Sequence, residues 1–295
     1  MLTLLTLLLA PIAAEGIIRE GDRVVLIGGA LIEREQQYGY LETMLHAMHP
    51  DRKFTVRNLG WSGDTVWGDA RAGFGKQADG YRKLLEQIKA TNPTLLFINY
   101  GSTEAFAGKA DMQRFLDGYT KLVEDVLAQH PMVRFVFVMP PRQIHRLPKP
   151  EAGIKRELEY NDASAHYIGR LHFLTQTHPG KFIYLQELYE RPKAQELTDD
   201  GLLPNEAGYK VLAKVVARQM GNTELAEKDL SSWDDIRQLI IRKNELYFHQ
   251  YRPANDTYLF GFRKHEQGNN AVEMPKFTPL IEELDAKINE AKKQK

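Results

Sequence analysis

The groups that could act on a substrate fall in four short stretches of this 295-residue chain. Gly28-Gly29-Ala30 closes one apolar run, Gly60-Trp61-Ser62-Gly63-Asp64 follows a second, and Tyr100-Gly101-Ser102-Thr103-Glu104 follows a third. The fourth, residues 197–209, carries Asp200, Leu203 and Asn205. Together they offer the hydroxyls of Ser62, Ser102 and Thr103 and the carboxylates of Asp64, Glu104 and Asp200. Acyl transfer draws on such groups: it needs a hydroxyl nucleophile, a base beside it, and donors aimed at the developing oxyanion. Yet the turn best placed for a nucleophile ends in Ala30, a methyl group. The plainer expectation for the others is structural, with Ser62 and Thr103 satisfying loop backbone and Asp64 capping the next element. His145, in a proline-rich loop, and His265, near the C-terminus, are the histidines that could face a cleft, although loop histidines are ordinarily just exposed. No two histidines stand four apart, as a helical ligand pair would, and there is no cysteine, so the sequence implies neither a metal nor another cofactor.

Those stretches acquire meaning from the elements between them. Apolar runs at 23–27, 54–59, 94–99, 133–139 and 181–185 read as strands. Segments of helical periodicity at 35–49, 81–90, 112–129, 154–177 and 205–220 separate or follow them. Strands that are apolar throughout and alternate with helices form a parallel sheet covered on both faces. The expected fold is a flavodoxin-like three-layer α/β/α sandwich with a parallel five-stranded sheet. Five strands are too few for a (β/α)8 barrel. In such sheets the loops at the carboxyl ends of the strands hold the chemistry, and all four stretches lie there.

Composition narrows the function classes. Thirty-nine basic residues balance 39 acidic ones, so no global positive field favours nucleic acid. Residues 2–14 (LTLLTLLLAPIAA) are apolar and end in small residues. They are too short to span a bilayer and fit a signal-peptide core with cleavage after Ala14, although a basic leading region is missing. The protein is therefore expected in a secreted or periplasmic location, with no integral membrane segment. The α/β domain is expected over residues 15–221 and a helical, aromatic and basic appendage over 222–295. In that appendage Arg252, Arg263, Lys264, His265, Asn269 and Asn270 interleave with Tyr258, Phe260 and Phe262, a mixture suited to a sugar or an anionic ligand. The plainer expectation is that the aromatics anchor the tail. Trp61 and Trp67 flank the second loop and fit the same carbohydrate idea.

Taken as blocks, the four stretches resemble those of the SGNH (GDSL) hydrolases, a family of esterases, acetyl-esterases and lipases. The resemblance spans about residues 21–220. It implies that Gly28-Gly29-Ala30 stands where the family has its Gly-Asp-Ser nucleophile turn. Asn58-Leu-Gly-Trp-Ser-Gly-Asp-Thr65 keeps the second block, with Gly63 as its backbone oxyanion donor. Gly101-Ser-Thr-Glu104 replaces Gly-x-Asn-Asp and puts Thr103 at the asparagine position. Asp200-Gly-Leu-Leu203 keeps the aspartate and puts Leu203 at the histidine. Neither alanine nor leucine can perform the missing step. Two readings follow. One is a pseudo-enzyme that binds a small ester or an acylated carbohydrate, with Gly29, Ser62, Asp64, Ser102, Glu104, His145, Arg263 and His265 as candidate contacts. The other is a hydrolase rewired around Ser62 or Thr103.

Overall fold

The computed structural model describes residues 16–144, 151–174, 178 and 180–295. The candidate export segment and His145 lie outside them. Five strands, β1 (Asp22–Gly28), β2 (Phe54–Asn58), β3 (Leu95–Asn99), β4 (Arg134–Val138) and β5 (Gly180–Ile183), form one parallel sheet in the order β2-β1-β3-β4-β5. Alternation along each strand divides the core. Val25, Ile27, Leu96, Ile98, Phe135 and Phe137 face one helical layer, while Val24, Leu26, Leu95, Phe97, Val136 and Val138 face the other. Burial on both faces explains why the central strands β1, β3 and β4 read as nearly unbroken apolar runs, whereas the edge strand β2 alternates.

The first helical segment is not one helix. The structure has α1 (Ala30–Tyr38) and α2 (Tyr40–Met48), broken at Gly39, whose φ of 68° is left-handed. The apolar spacing continues across the break, so periodicity alone reads straight through it. At the same turn Glu35 accepts the Leu41 amide at 2.6 Å with one carboxyl oxygen, while the other is buried and finds no hydrogen-bond partner among the described residues. Helices α3 (Gln77–Thr91), α4 (Met112–Gln129) and α5 (Glu151–Leu174) follow; α6 (Gln186–Glu190), α7 (Glu206–Gln219) and α8 (Thr223–Glu227) come next. The five-stranded parallel sheet with helices on both sides is the three-layer arrangement expected from the alternation.

Beyond α8 the chain makes α9 (Asp234–Tyr251), the single turns α10 (Asp256–Leu259) and α11 (Lys264–Gln267), and α12 (Phe277–Ala291). Helices α9 and α12 lie together against the β2 side of the sheet. Lys243 of α9 is fully buried and reaches Glu42 of α2 and the Val56 carbonyl, with Asn244 on the other Glu42 oxygen. Arg57 of β2 pairs with Asp285 of α12 at 2.5 Å. The Asn289 carboxamide accepts the Phe54 amide at 3.3 Å and donates to the Phe54 carbonyl at 3.0 Å.

Burial pushes the Glu35 carboxyl up to about 8, opposed by amide hydrogen bonds from Leu41 and Glu42. A raised carboxyl is neutral in the folded chain while the unfolded one ionises, so its contribution is complete below pH 4.5 and is lost as pH rises through about 8. Glu35→Gln, uncharged throughout, is expected to stabilise the protein at pH 7 by roughly 1–3 kcal/mol, with the gain vanishing near pH 4.5. Urea unfolding of both proteins at the two pH values measures it.

Candidate functional site

The carboxyl ends of β1, β2 and β3 converge because glycines let the backbones touch. At Gly28 φ is 155°, and a Cβ there would lie 2.4 Å from the Asn99 carbonyl oxygen. At Gly60 a Cβ would lie 2.2 Å from the Glu33 amide nitrogen, so the second loop rests directly on the first turn of α1. Asn58 fastens that contact: its amide group donates to the Ile32 carbonyl at 2.6 Å and its oxygen accepts the Gly60 amide at 2.8 Å. Gly29 precedes α1, and Ala30 is the first residue of the helix.

The two loop carboxylates turn inward. Asp64 accepts from Arg71 Nε at 2.7 Å and from the Tyr100 hydroxyl at 2.9 Å on one oxygen, and from the Ala70 amide at 3.2 Å on the other. The Ala70 amide lies in the short turn 69–71, whose N-cap is Gly68 rather than Asp64, and the buried guanidinium is the stronger partner. Arg71 also donates to the Leu59 carbonyl and to Gln87, which leaves it wholly committed to the interior. Glu104 accepts the Val66 amide at 3.0 Å and the Gly101 amide at 2.9 Å, tying the second loop to the third. Burial raises its carboxyl to about 7 against those amide bonds, and the neighbouring Asp64 charge adds to the rise.

The hydroxyls divide. Ser62 does not serve its own loop backbone as expected. Its hydroxyl donates to Glu33 at 2.7 Å, its amide to the other Glu33 oxygen at 2.7 Å, and Arg252 from the tail completes the cluster. The cause is the descent of the second loop onto α1, which brings Ser62 over Glu33. Ser102 lines a cleft at this edge, and the nearby Tyr160 phenol donates to the Pro141 carbonyl at 3.1 Å. Thr103 is exposed, with its hydroxyl oxygen 4.0 Å from where a Gly29 Cβ would sit.

A cleft of about 120 Å³ opens at this edge, lined among others by Gly29, Ala30, Ser102, Thr103, Phe106 and Leu203. Ala30 and Leu203, far apart in sequence, thus meet on one cavity. Asp64 and Glu104 are also among its lining residues. Gly63 (φ 77°) is exposed and outside the lining, and so is Ser62. Asp200 is exposed and accepts the Leu202 and Leu203 amides at 2.8 and 2.7 Å, a turn-forming role. Asn205 caps α7 through the Gly208 amide at 3.0 Å. Among the described residues no histidine and no residue beyond Leu203 lines the cleft. His265 is exposed beside Glu266, and Arg263 stacks on Tyr258 while pairing with the same Glu266. The tail instead meets the back of the second loop, where the Tyr251 hydroxyl donates to the Gly60 carbonyl at 2.7 Å and Arg252 lies 4.1 Å from the Trp61 ring centre. Sequence reasoning missed Glu33 and Arg71. For Arg71 there was a faint signal, an arginine seven residues after an aspartate in a glycine-bearing loop.

Among the described residues no cluster of three or more His, Asp or Glu is arranged to hold a metal, and no helix is long and apolar enough to cross a membrane. Asp64→Ala would strand the buried Arg71 guanidinium. It is expected to cost about 3–5 kcal/mol, read as a lowered urea midpoint with an unchanged slope.

Known proteins supply a further view of this edge. The family model described as GDSL-like Lipase/Acylhydrolase matches residues 28–211. Among solved structures, the fold is similar to that of a gut microbial diltiazem-metabolizing enzyme, BT4096, at a TM-score of 0.53 and 16% identity. That match covers 69% of this chain and 48% of the other, so this chain matches about half of that enzyme's length. It is also similar to a catalytic mutant of Axe2, an acetylxylan esterase from Geobacillus stearothermophilus, at a TM-score of 0.51 and 19% identity, over 69% of this chain and 96% of that one. Comparison with curated protein sequences finds no match. At these identities the likeness to solved structures speaks for the fold.

Proposed function

The chain belongs to the GDSL-like lipase/acylhydrolase family, and from that premise we propose that it is an exported, non-hydrolytic member that binds a small ester or an acylated carbohydrate at the former active edge. The observation that carries the reading is the meeting of Ala30 and Leu203 on one cleft that no described histidine lines. Both are the positions at which the family resemblance calls for the nucleophile and the base. In a serine hydrolase, removal of either group costs about six decades of rate, and what remains comes from oxyanion donors and binding.

The other hydroxyls do not replace them. Ser62 is held by Glu33 outside the cleft, and that carboxylate is already shared with Arg252. Thr103 does line the cleft, but no described proton acceptor of suitable strength is bonded to it. Glu104 has both oxygens on backbone amides. The Thr103 hydroxyl can still donate a hydrogen bond to a carbonyl, which suits retention of an acyl group better than its cleavage. The likeness of the fold to an acetylxylan esterase supports the acylated-carbohydrate class. Export rests on the apolar, small-residue-terminated segment before Glu15.

Turnover of short-chain nitrophenyl esters and labelling by a fluorophosphonate are expected to stay at background. Strong labelling of any hydroxyl would sink the binding reading. The double change Ala30→Ser with Leu203→His places a hydroxyl and an imidazole on the same cleft and is expected to raise ester turnover well above background. A folded double variant with no activity would show that the donors at Gly63 and Thr103 no longer serve the cleft. When expressed with its leader in a bacterium, the protein is expected outside the cytoplasm with Glu15 as its first residue, read by N-terminal sequencing; an intact Met1 counts against export.

A further inference from the structure

A larger groove runs behind the second loop, between the start of α3 and the tail. Its volume is about 910 Å³, and it shares no lining residue with the Ala30 cleft. Much of one wall comes from residues 248–262, beyond the end of the family match at residue 211. Three phenylalanines stand in solvent around it: Phe74 is 86% exposed, Phe262 70% and Phe260 54%. Phe74, flanked by Gly73 and Gly75, meets Phe262 edge-on with ring centres 5.6 Å apart. Each exposed ring forgoes burial worth about 2 kcal/mol, and aromatic rings gathered on a concave surface mark binding rather than packing.

The polar lining says which kind of ligand fits. Each cation that lines the groove already has a carboxylate. Arg82 pairs with Asp79 at 3.0 Å and Glu86 at 3.5 Å, Lys83 with Asp256 at 3.2 Å, and Arg252 with Glu33. Arg71, at the base, belongs to Asp64. Among the described residues, four cationic side chains and four carboxylates line the groove, so it presents no net field to an ion. What it does present is donors and acceptors side by side, next to aromatic faces. A pyranose chain has that complement: hydroxyls that both donate and accept, and C–H faces that stack on electron-rich rings. A free anion would have to displace a carboxylate from its partner.

We infer that this groove is a binding site for a neutral oligosaccharide, with Phe74 and Phe262 as its stacking platforms. Of the two ligand classes the tail composition suggests, the paired lining selects the uncharged sugar over the anion. The site does not depend on the cleft reading, since the two lie on different residues.

The test is calorimetric titration of the full chain with cellohexaose and xylohexaose, against oligogalacturonate as the anionic probe, at low and high salt. A neutral hexasaccharide is expected to bind with an affinity that salt leaves unchanged. The double change Phe74→Ala with Phe262→Ala is expected to weaken it at least about tenfold, with the melting temperature preserved because both rings are exposed. Failure of both neutral probes to bind, tighter and salt-sensitive binding of oligogalacturonate, or binding that survives the double change would each overturn the inference. Ester turnover by the Ala30→Ser, Leu203→His protein is read separately, so failure at one site is not mistaken for failure at the other.

Discussion

Two carboxylates turned away from solvent hold the upper edge of this sheet. Asp64 neutralises a guanidinium with no exposure to water, and Glu104 stitches the second loop to the third through two amides. A buried charge is tolerated only when it is paired and hydrogen-bonded, so neither group can leave its post for a substrate proton without loosening the loops. The residues that look most reactive in the sequence are thereby the frame of the cleft. What faces the opening is mostly inert: a methyl, an isobutyl group, an aromatic ring, and the hydroxyls of Thr103 and Ser102.

The fold was legible because its signal is physical and local. The central strands β1, β3 and β4, buried on both faces, are nearly apolar throughout, while the edge strands β2 and β5 carry polar residues and are read from their place in the alternation. The four loops were legible through glycine spacing, since the convergence of strand ends at Gly28 and Gly60 leaves no room for a Cβ. Gly39 escaped notice because a left-handed turn between two helices of matching apolar phase leaves the periodicity intact. The cluster of Ser62, Glu33 and Arg252 could not be read at all: its members are separated by 29 and 219 residues, and their meeting depends on how the tail returns. Ser62, an apparent candidate, is spent on that joint.

The placement of Ala30 and Leu203 bears on the proposed loss of hydrolysis. Had only one of them faced the cleft, the other could be a neutral surface substitution. Both line it, and under that proposal each removes the partner the other would need: a histidine without a serine has no proton to take, and a serine without a base is a weak nucleophile. Asp200 fits the same proposal, since its carboxylate serves the Leu202 and Leu203 amides.

Asn289 has a wider bearing. Strand β2 is an edge of the sheet, and its Phe54 offers an amide and a carbonyl that a neighbouring molecule could copy as a strand. The α12 carboxamide occupies both, and Arg57 next to it is tied to Asp285. The C-terminal helix thus acts as a stopper on the open end of the ladder, guarding against polymerisation. A chain that stopped before α9 would keep the four loops at the carboxyl ends of the strands and lose that guard. The tail therefore covers the open edge of the sheet as well as packing against it.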